Sequence, residues 1–127
     1  MNLFYDKYLK ALTKVLKSID SSKVKILYDQ IMKTKTKDGK LLIFGNGANM
    51  SNASHFGTDM TKNGKINTMI FSDANLITCF ANDYGFENYI SKALEFYAYK
   101  KDLVIFIFSS LLSCLISLIS LDHLIQI

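Results

Sequence analysis

The stretch LLIFGNGANMSNASHFGTDMTKNG, Leu41 to Gly64, sets four apolar residues ahead of a Gly-x-Gly turn, then small polar residues, then a His and an Asp four positions apart. A short apolar run without alternation is the pattern of a strand buried on both faces of a parallel sheet. From Met50 to about Lys62 the spacing is helical, and Asn63-Gly64 stops it. A parallel strand that ends in such a turn and opens a helix leaves backbone N–H groups at the helix start, where the helix dipole favours an anion. Gly45 and Gly47 permit backbone angles and a close approach that a side chain would block. Asn46, Asn49 and Ser51 add neutral donors suited to phosphate oxygens or sugar hydroxyls. The same residues would also serve a plain β–α turn with a polar cap, and the glycines alone do not choose between the two. A third glycine for the dinucleotide fingerprint is missing, as is the GK[ST] of a P-loop.

Ser51, His55 and Asp59 follow at i, i+4, i+8, which puts all three on one helix face. A His and a carboxylate so placed can act as metal ligand and proton-transfer base, or simply be a surface pair. Because their face begins at the turn, and ligands of open α/β sheets bind beyond the carboxyl ends of the strands, the first use is favoured.

Outward from this unit the pattern alternates. Leu3, Phe4, Leu9, Leu12, Val15, Leu16 and Ile19 recur at helical spacing. Asp20-Ser21-Ser22 can cap a second helix carrying Val24, Ile26, Leu27, Ile31 and Met32. Downstream, KINTMIFSD reads as a second strand, ANLITCFANDYG as a short helix and turn, FENYISKALEFYAY as a longer helix and KKDLVIFIF as a third strand. Helices alternating with short apolar strands mark a layered α/β sheet. Asn82, Asp83, Tyr84 and Gly85 are expected in a loop between two helices.

Composition bounds the function classes. The chain has 127 residues, half of them hydrophobic, with a net charge of +4 and no Arg, Trp or Pro. All 15 basic residues are Lys, and 12 of them precede Ile66, spaced along helical surfaces. That spacing describes solvated faces, since readers of nucleic-acid backbones usually interleave Arg and aromatics; no nucleic-acid partner is expected. Cys79 and Cys114 sit in apolar settings without a CxxC, so buried free thiols in a reducing cytoplasm are expected. The amphipathic start MNLFYDKYLK carries an Asp and does not read as a secretory signal.

FGNGANMSNASHFGTDMTKNG together with LITCFANDYGFENYISKALEFYAYKKDLVIFI resembles the phosphoheptose isomerase branch of the sugar isomerase (SIS) domain proteins. The resemblance covers about Lys40 to Ile107 in detail and the two preceding helices in arrangement. It implies a three-layer, flavodoxin-like parallel sheet preceded by a helix pair that joins copies into a homo-oligomer. It also implies a phosphorylated heptose as ligand, interconverted with sedoheptulose 7-phosphate. By the resemblance, Asn46, Gly47, Ala48, Asn49 and Ser51 would contact the substrate. His55 would be a zinc ligand, Asp59 the catalytic carboxylate and a second metal donor, and Asn82 and Asp83 would meet sugar hydroxyls.

There are departures. The family turn commonly reads Gly-Asn-Gly-Gly-Ser, where this chain has Ala48 and Asn49 in the last two places. The carboxylate is commonly Glu. The family's Ser-Ser-Gly-Asn-Ser phosphate loop is replaced by FSSLLSCLISLISLDHLIQI, in which Ser109, Ser110 and Ser113 keep a plausible register. The helix bearing a Gln and a His that completes the family's metal and acid/base site has no counterpart here. The expected organisation is therefore a helical pair over 1–36, a partial SIS domain over 37–108 lacking the second half of the sheet, and an apolar out-of-family tail over 109–127, from truncation or a frameshift. With an incomplete zinc site, weak or no isomerase turnover is expected. A non-catalytic sugar-phosphate-binding or assembly module is the alternative. Leu103 to Leu121 is 19 residues without a charge, formally the length of a membrane span, but five serines and its opening strand argue against a membrane partner.

Overall fold

The computed structural model describes the backbone over residues 2–109 and 114–120 and the side chains over residues 3–108. In chain order the elements are α1 (Asn2–Lys17), α2 (Ser21–Thr36), β1 (Leu41–Gly45), α3 (Ala48–Lys62), β2 (Thr68–Ile70), α4 (Ala74–Tyr84), α5 (Tyr89–Tyr97), β3 (Leu103–Ser109) and β4 (Cys114–Ser120). The sheet order is β2-β1-β3-β4. β1 pairs in parallel with β2 on one side and with β3 on the other, where Leu41 is level with Leu103 and Gly45 with Ile107. This is the 2-1-3 half of a flavodoxin-like sheet.

The unalternated run Leu41–Gly45 is buried along its whole length because both faces are covered. Leu41, Ile43, Leu103 and Ile105 face Ile31 of α2 and Ala53 of α3, with Leu27, Phe56 and Met60 around them. Leu42, Phe44 and Val104 face the other way, against Phe71, Ala93 of α5, and Leu76 and Phe80 of α4. Phe44 stacks on Phe71 at 4.1 Å between ring centroids, and Tyr97 meets Phe71 edge-on. The result is three layers: α2 and α3, the sheet, then α4 and α5.

The helix pair joins this body by one end only. Asp20 caps α2 as its sequence suggests, its carboxylate accepting from the Ser22 N–H at 2.9 Å. Only Ile31 and Thr34 of α2 are buried. Every described side chain of α1 is exposed, Phe4 by 78% and even Leu9 by 40%.

Four features differ from the sequence reading. The second strand is three residues, Thr68–Ile70, because Lys65 takes a positive φ of 54° ahead of it and the ladder ends once Phe71 N–H has bonded to Ile43 O. Asn82, Asp83 and Tyr84 are the last turn of α4, not a loop; Gly85, at φ 88°, stops the helix just after them. Cys79 is exposed, since Leu76 and Phe80 take the inward face of α4; the Cys114 side chain lies outside the described residues. The apolar tail contributes a strand, with β4 running antiparallel to β3 from Cys114↔Ser109 to Ser120↔Leu103. Leu103–Ser109 and Cys114–Ser120 are thus both strands, and among the described residues no helix is long and apolar enough to cross a membrane.

Candidate functional site

The Gly-x-Gly turn stands at the carboxyl end of β1. From there the chain crosses to β2 on one side and later to β3 on the other, which makes this end of β1 the topological switch point of the parallel strands. Ligands of open α/β sheets collect at that point. Each glycine has its own reason. A Cβ on Gly45 would lie 2.5 Å from the Asn49 carbonyl oxygen, so only glycine lets α3 start this close to the strand. Gly47, the N-cap of α3, has φ 58° and ψ −130°, while a Cβ there would meet nothing within 4 Å. Its constraint is conformational, and the space beside it is open.

Asn49 N–H bonds to Asn46 O at 3.1 Å and Met50 N–H to Gly47 O at 2.9 Å. The N–H groups of Gly47 and Ala48 have no acceptor among the described residues, and no side chain caps the helix. Asn46, Gly47, Ala48 and Ser51 are exposed, and Asn49 is half-buried with its Oδ1 accepting from Asn52 at 3.4 Å. The turn can therefore donate to an anion from two backbone groups, with Asn46 and Ser51 at its rim.

Along α3, Ala53 and Gly57 form the buried face. A Cβ on Gly57 would come within 2.6 Å of Ile70, so this glycine seats the helix on β2. The opposite face carries His55 and Asp59, with His55 Nε2 3.5 Å from Asp59 Oδ2 and the two side chains 83% and 46% exposed. Asp59 Oδ1 also accepts from Asn63 Nδ2 at 3.3 Å. The shared face begins at the turn but runs away from it: at 1.5 Å per residue, Asp59 stands about 16 Å along the axis from the helix start.

Asn82 and Asp83 pair with each other at 3.0 Å, and Cys79 Sγ lies 3.7 Å from Asp83 Oδ2. They sit on α4, in the layer across the sheet from α3, and no contact joins them to His55 or Asp59 among the described residues. Ser109 closes β3 at its carboxyl end, two residues beyond Ile107, which is level with Gly45. Ser110 and Ser113, expected in the phosphate loop, lie outside the described residues. Among the described residues there is also no group of three His, Cys, Asp or Glu side chains able to hold a metal. A catalytic zinc takes three protein ligands and keeps one open position. His55 and Asp59 supply two, so the described residues do not by themselves fit a zinc site.

Two residues that matter to the site's frame were not singled out in the sequence. Asp102 is buried at the amino end of β3 and bonds Lys40 at the start of β1. An acidic residue directly before an apolar strand run was the available signal. Gly57 carried none, because its reason lies in β2.

The chain matches no family model. It is 32% identical over 107 residues to a phosphoheptose isomerase of Helicobacter pylori strain P12, an alignment covering 80% of this chain and 55% of that protein. It is 40% identical over 80 residues to one of Fusobacterium nucleatum, covering 59% of this chain and 41% of that protein. The structure of phosphoheptose isomerase GmhA from Neisseria gonorrhoeae shares the fold, with a TM-score of 0.73 at 24% identity over 86% of this chain and 59% of that one. The chain thus spans about half the length of the curated relatives it matches. Over the part it spans, the chain is similar in sequence to phosphoheptose isomerases, and it shares the α/β fold of one of them.

Proposed function

We propose that this chain binds a phosphorylated sugar, a heptose phosphate, with its phosphate at the Gly45–Ser51 turn. The carrying observation is the turn itself: two unspent backbone N–H groups, Gly47 and Ala48, opening α3 at the switch point of the sheet. In this reading Asn46, Asn49 and Ser51 serve the phosphate or adjoining hydroxyls, and Ser109, Ser110 and Ser113 are proposed as further phosphate contacts. Asn82 and Asp83 are proposed to meet sugar hydroxyls.

The reaction in which the site takes part is aldose–ketose isomerisation. Asp59 is the proposed base. It removes the proton from the carbon next to the carbonyl, leaving an enediolate with its charge on the former carbonyl oxygen. That oxygen takes up a proton as the neighbouring hydroxyl gives one up, and the carboxylic acid returns its proton to the former carbonyl carbon. His55, within 3.5 Å, holds the carboxylate on the outward face. An extended seven-carbon phosphate reaches about 10 Å, at roughly 1.2 Å per bond. That is short of the ~16 Å between the turn and Asp59 on one helix. The reading therefore has Asp59 of one copy act on a ligand held by another, with the exposed apolar residues of α1 and α2 joining the copies. A zinc ion, if used, would be shared between His55, Asp59 and donors beyond the described residues. Residues 1–127 alone are expected to turn over weakly, because the helix with a Gln and a His that the family resemblance implies for the acid/base site has no counterpart in them. A phosphorylated metabolite as substrate puts the protein in the cytoplasm.

Calorimetric titration with sedoheptulose 7-phosphate and, separately, sedoheptulose tests this reading. The expected result is weak binding near millimolar, about 4 kcal/mol, that disappears without the phosphate. Equal binding of both sugars, or of neither, would contradict it.

A further inference from the structure

The two edges of the sheet are unlike. β2 closes one edge with three residues, a length that offers little to pair with. β4 closes the other with seven, Cys114–Ser120, paired along their full length to β3. Among the described residues no strand lies beyond β4. Half of a strand's N–H and C=O groups point away from its one neighbour, so β4 presents a row of donors and acceptors at the sheet margin. Its sequence, CLISLIS, contains none of the usual devices that blunt an edge: no Lys, no other charge, no Pro.

The sequence of β4 also says what fits it. In a pairing about a two-fold axis, residue i faces residue j and j faces i. Centred on Ser117, an antiparallel copy of this strand sets Ile116 against Leu118, Leu115 against Ile119, Cys114 against Ser120, and Ser117 against itself. Every aliphatic residue meets an aliphatic one, and every small polar residue meets another. A register shifted by one residue would put Ser117 opposite Ile116 or Leu118. We propose that the outer edge of β4 pairs with β4 of a second copy of this chain, antiparallel and centred on Ser117, joining two sheets into one of eight strands. This contact is separate from any made by α1 and α2, and it does not depend on the ligand.

The register makes the proposal testable in the full chain with Cys79→Ser and Cys114→Ser as background. Directly opposed residues of an antiparallel pair lie about 4.5–5.5 Å apart at Cα, within the range of about 4.4–6.8 Å that a disulfide spans. Ser117→Cys should therefore give a disulfide-linked dimer with oxidised glutathione. Leu115→Cys should not, because its two copies would stand about 13 Å apart, four residues of strand. The double variant Leu115→Cys/Ile119→Cys should link again, since 115 then faces 119 of the second copy. It covers the case in which Ser117→Cys disturbs the strand. Absence of linkage in both Ser117→Cys and the double variant would overturn the proposal. Equal linkage by Leu115→Cys would do so too, since it would mean unspecific apolar association.

Discussion

Lys40 and Asp102 are bound to each other at the amino ends of β1 and β3: Asp102 Oδ1 accepts from the Lys40 backbone N–H at 2.9 Å, and Oδ2 accepts from the Lys40 ammonium. The Tyr99 N–H adds a third bond to the same carboxylate, at 2.9 Å, and the Lys40 ammonium lies over the Tyr99 ring. Asp102 is only 4% exposed. The joint fixes Leu41 beside Leu103, and through that register it sets the glycine turn level with the end of β3. Removing one partner of a buried pair strands the other. Asp102→Ala should lower unfolding stability by about 3 kcal/mol. Urea denaturation measures this, and a loss within about 0.5 kcal/mol, as at an ordinary surface site, would contradict the assignment.

The glycines of the turn should separate by mechanism. Gly45→Ala drives a Cβ into backbone of α3, at 2.5 Å from Asn49 O, and should destabilise the fold and shift the helix start. Gly47→Ala meets no atom and should cost only its backbone conformation, on the order of 1–3 kcal/mol. Crystal structures or amide chemical shifts of the two variants distinguish them. Displacement of α3 in Gly47→Ala but not in Gly45→Ala would reverse the argument.

Much of this was legible in the sequence, for identifiable reasons. The unalternated LLIF run, short and followed by a glycine turn, fitted a strand covered on both faces, and Asp20 announced its cap. His55 and Asp59 met at 3.5 Å because a helix brings i and i+4 together, whatever the tertiary context. The reading went wrong where local signals met long-range packing. Asn-Asp-Tyr-Gly has loop composition, yet α4 runs through Tyr84 because Leu76 and Phe80 hold it on the sheet and Gly85 provides the stop. Cys79 looked buried by its neighbours in sequence but falls on the outward face of that helix. The apolar tail gave no sign that Cys114–Ser120 would fold back along β3, since nothing in its periodicity separates an edge strand from any other apolar run.

The cap of α2 should respond to acid. The Asp20 carboxyl is held below its ordinary value by the Ser22 hydroxyl first and the Ser22 backbone N–H second. A depressed carboxylate stabilises the fold above its unfolded value, and that contribution is lost as pH falls through the folded value. Helicity at the start of α2 should therefore decline on acidification below about pH 4. Asp20→Asn, which can still cap but does not titrate there, should flatten the response. Unchanged acid titration of the circular dichroism signal in Asp20→Asn would contradict the account.

The helix pair should hold copies together. Leu12 and Leu16 of α1 are 41% and 57% exposed and form part of an apolar face with no cover among the described residues. Light scattering should give a dimer or larger assembly for the whole chain. Leu12→Glu with Leu16→Glu should reduce the mass without lowering helix content. A monomer for the unaltered chain, or an unchanged mass for the variant, would remove α1 from the interface.

The most direct test of the central claim is a ¹⁵N-resolved titration of the whole chain with sedoheptulose 7-phosphate, repeated on Asp59→Asn. The amides of Asn46, Gly47, Ala48 and Ser51 should move first and furthest, with affinity in Asp59→Asn within about twofold of the unaltered chain, because the carboxylate takes no part in holding the phosphate. Any isomerase turnover should vanish in the same variant. Shifts confined to residues away from Gly45–Asp59, or no shifts at all, would leave the Gly-Asn-Gly stretch as a structural turn and contradict the account.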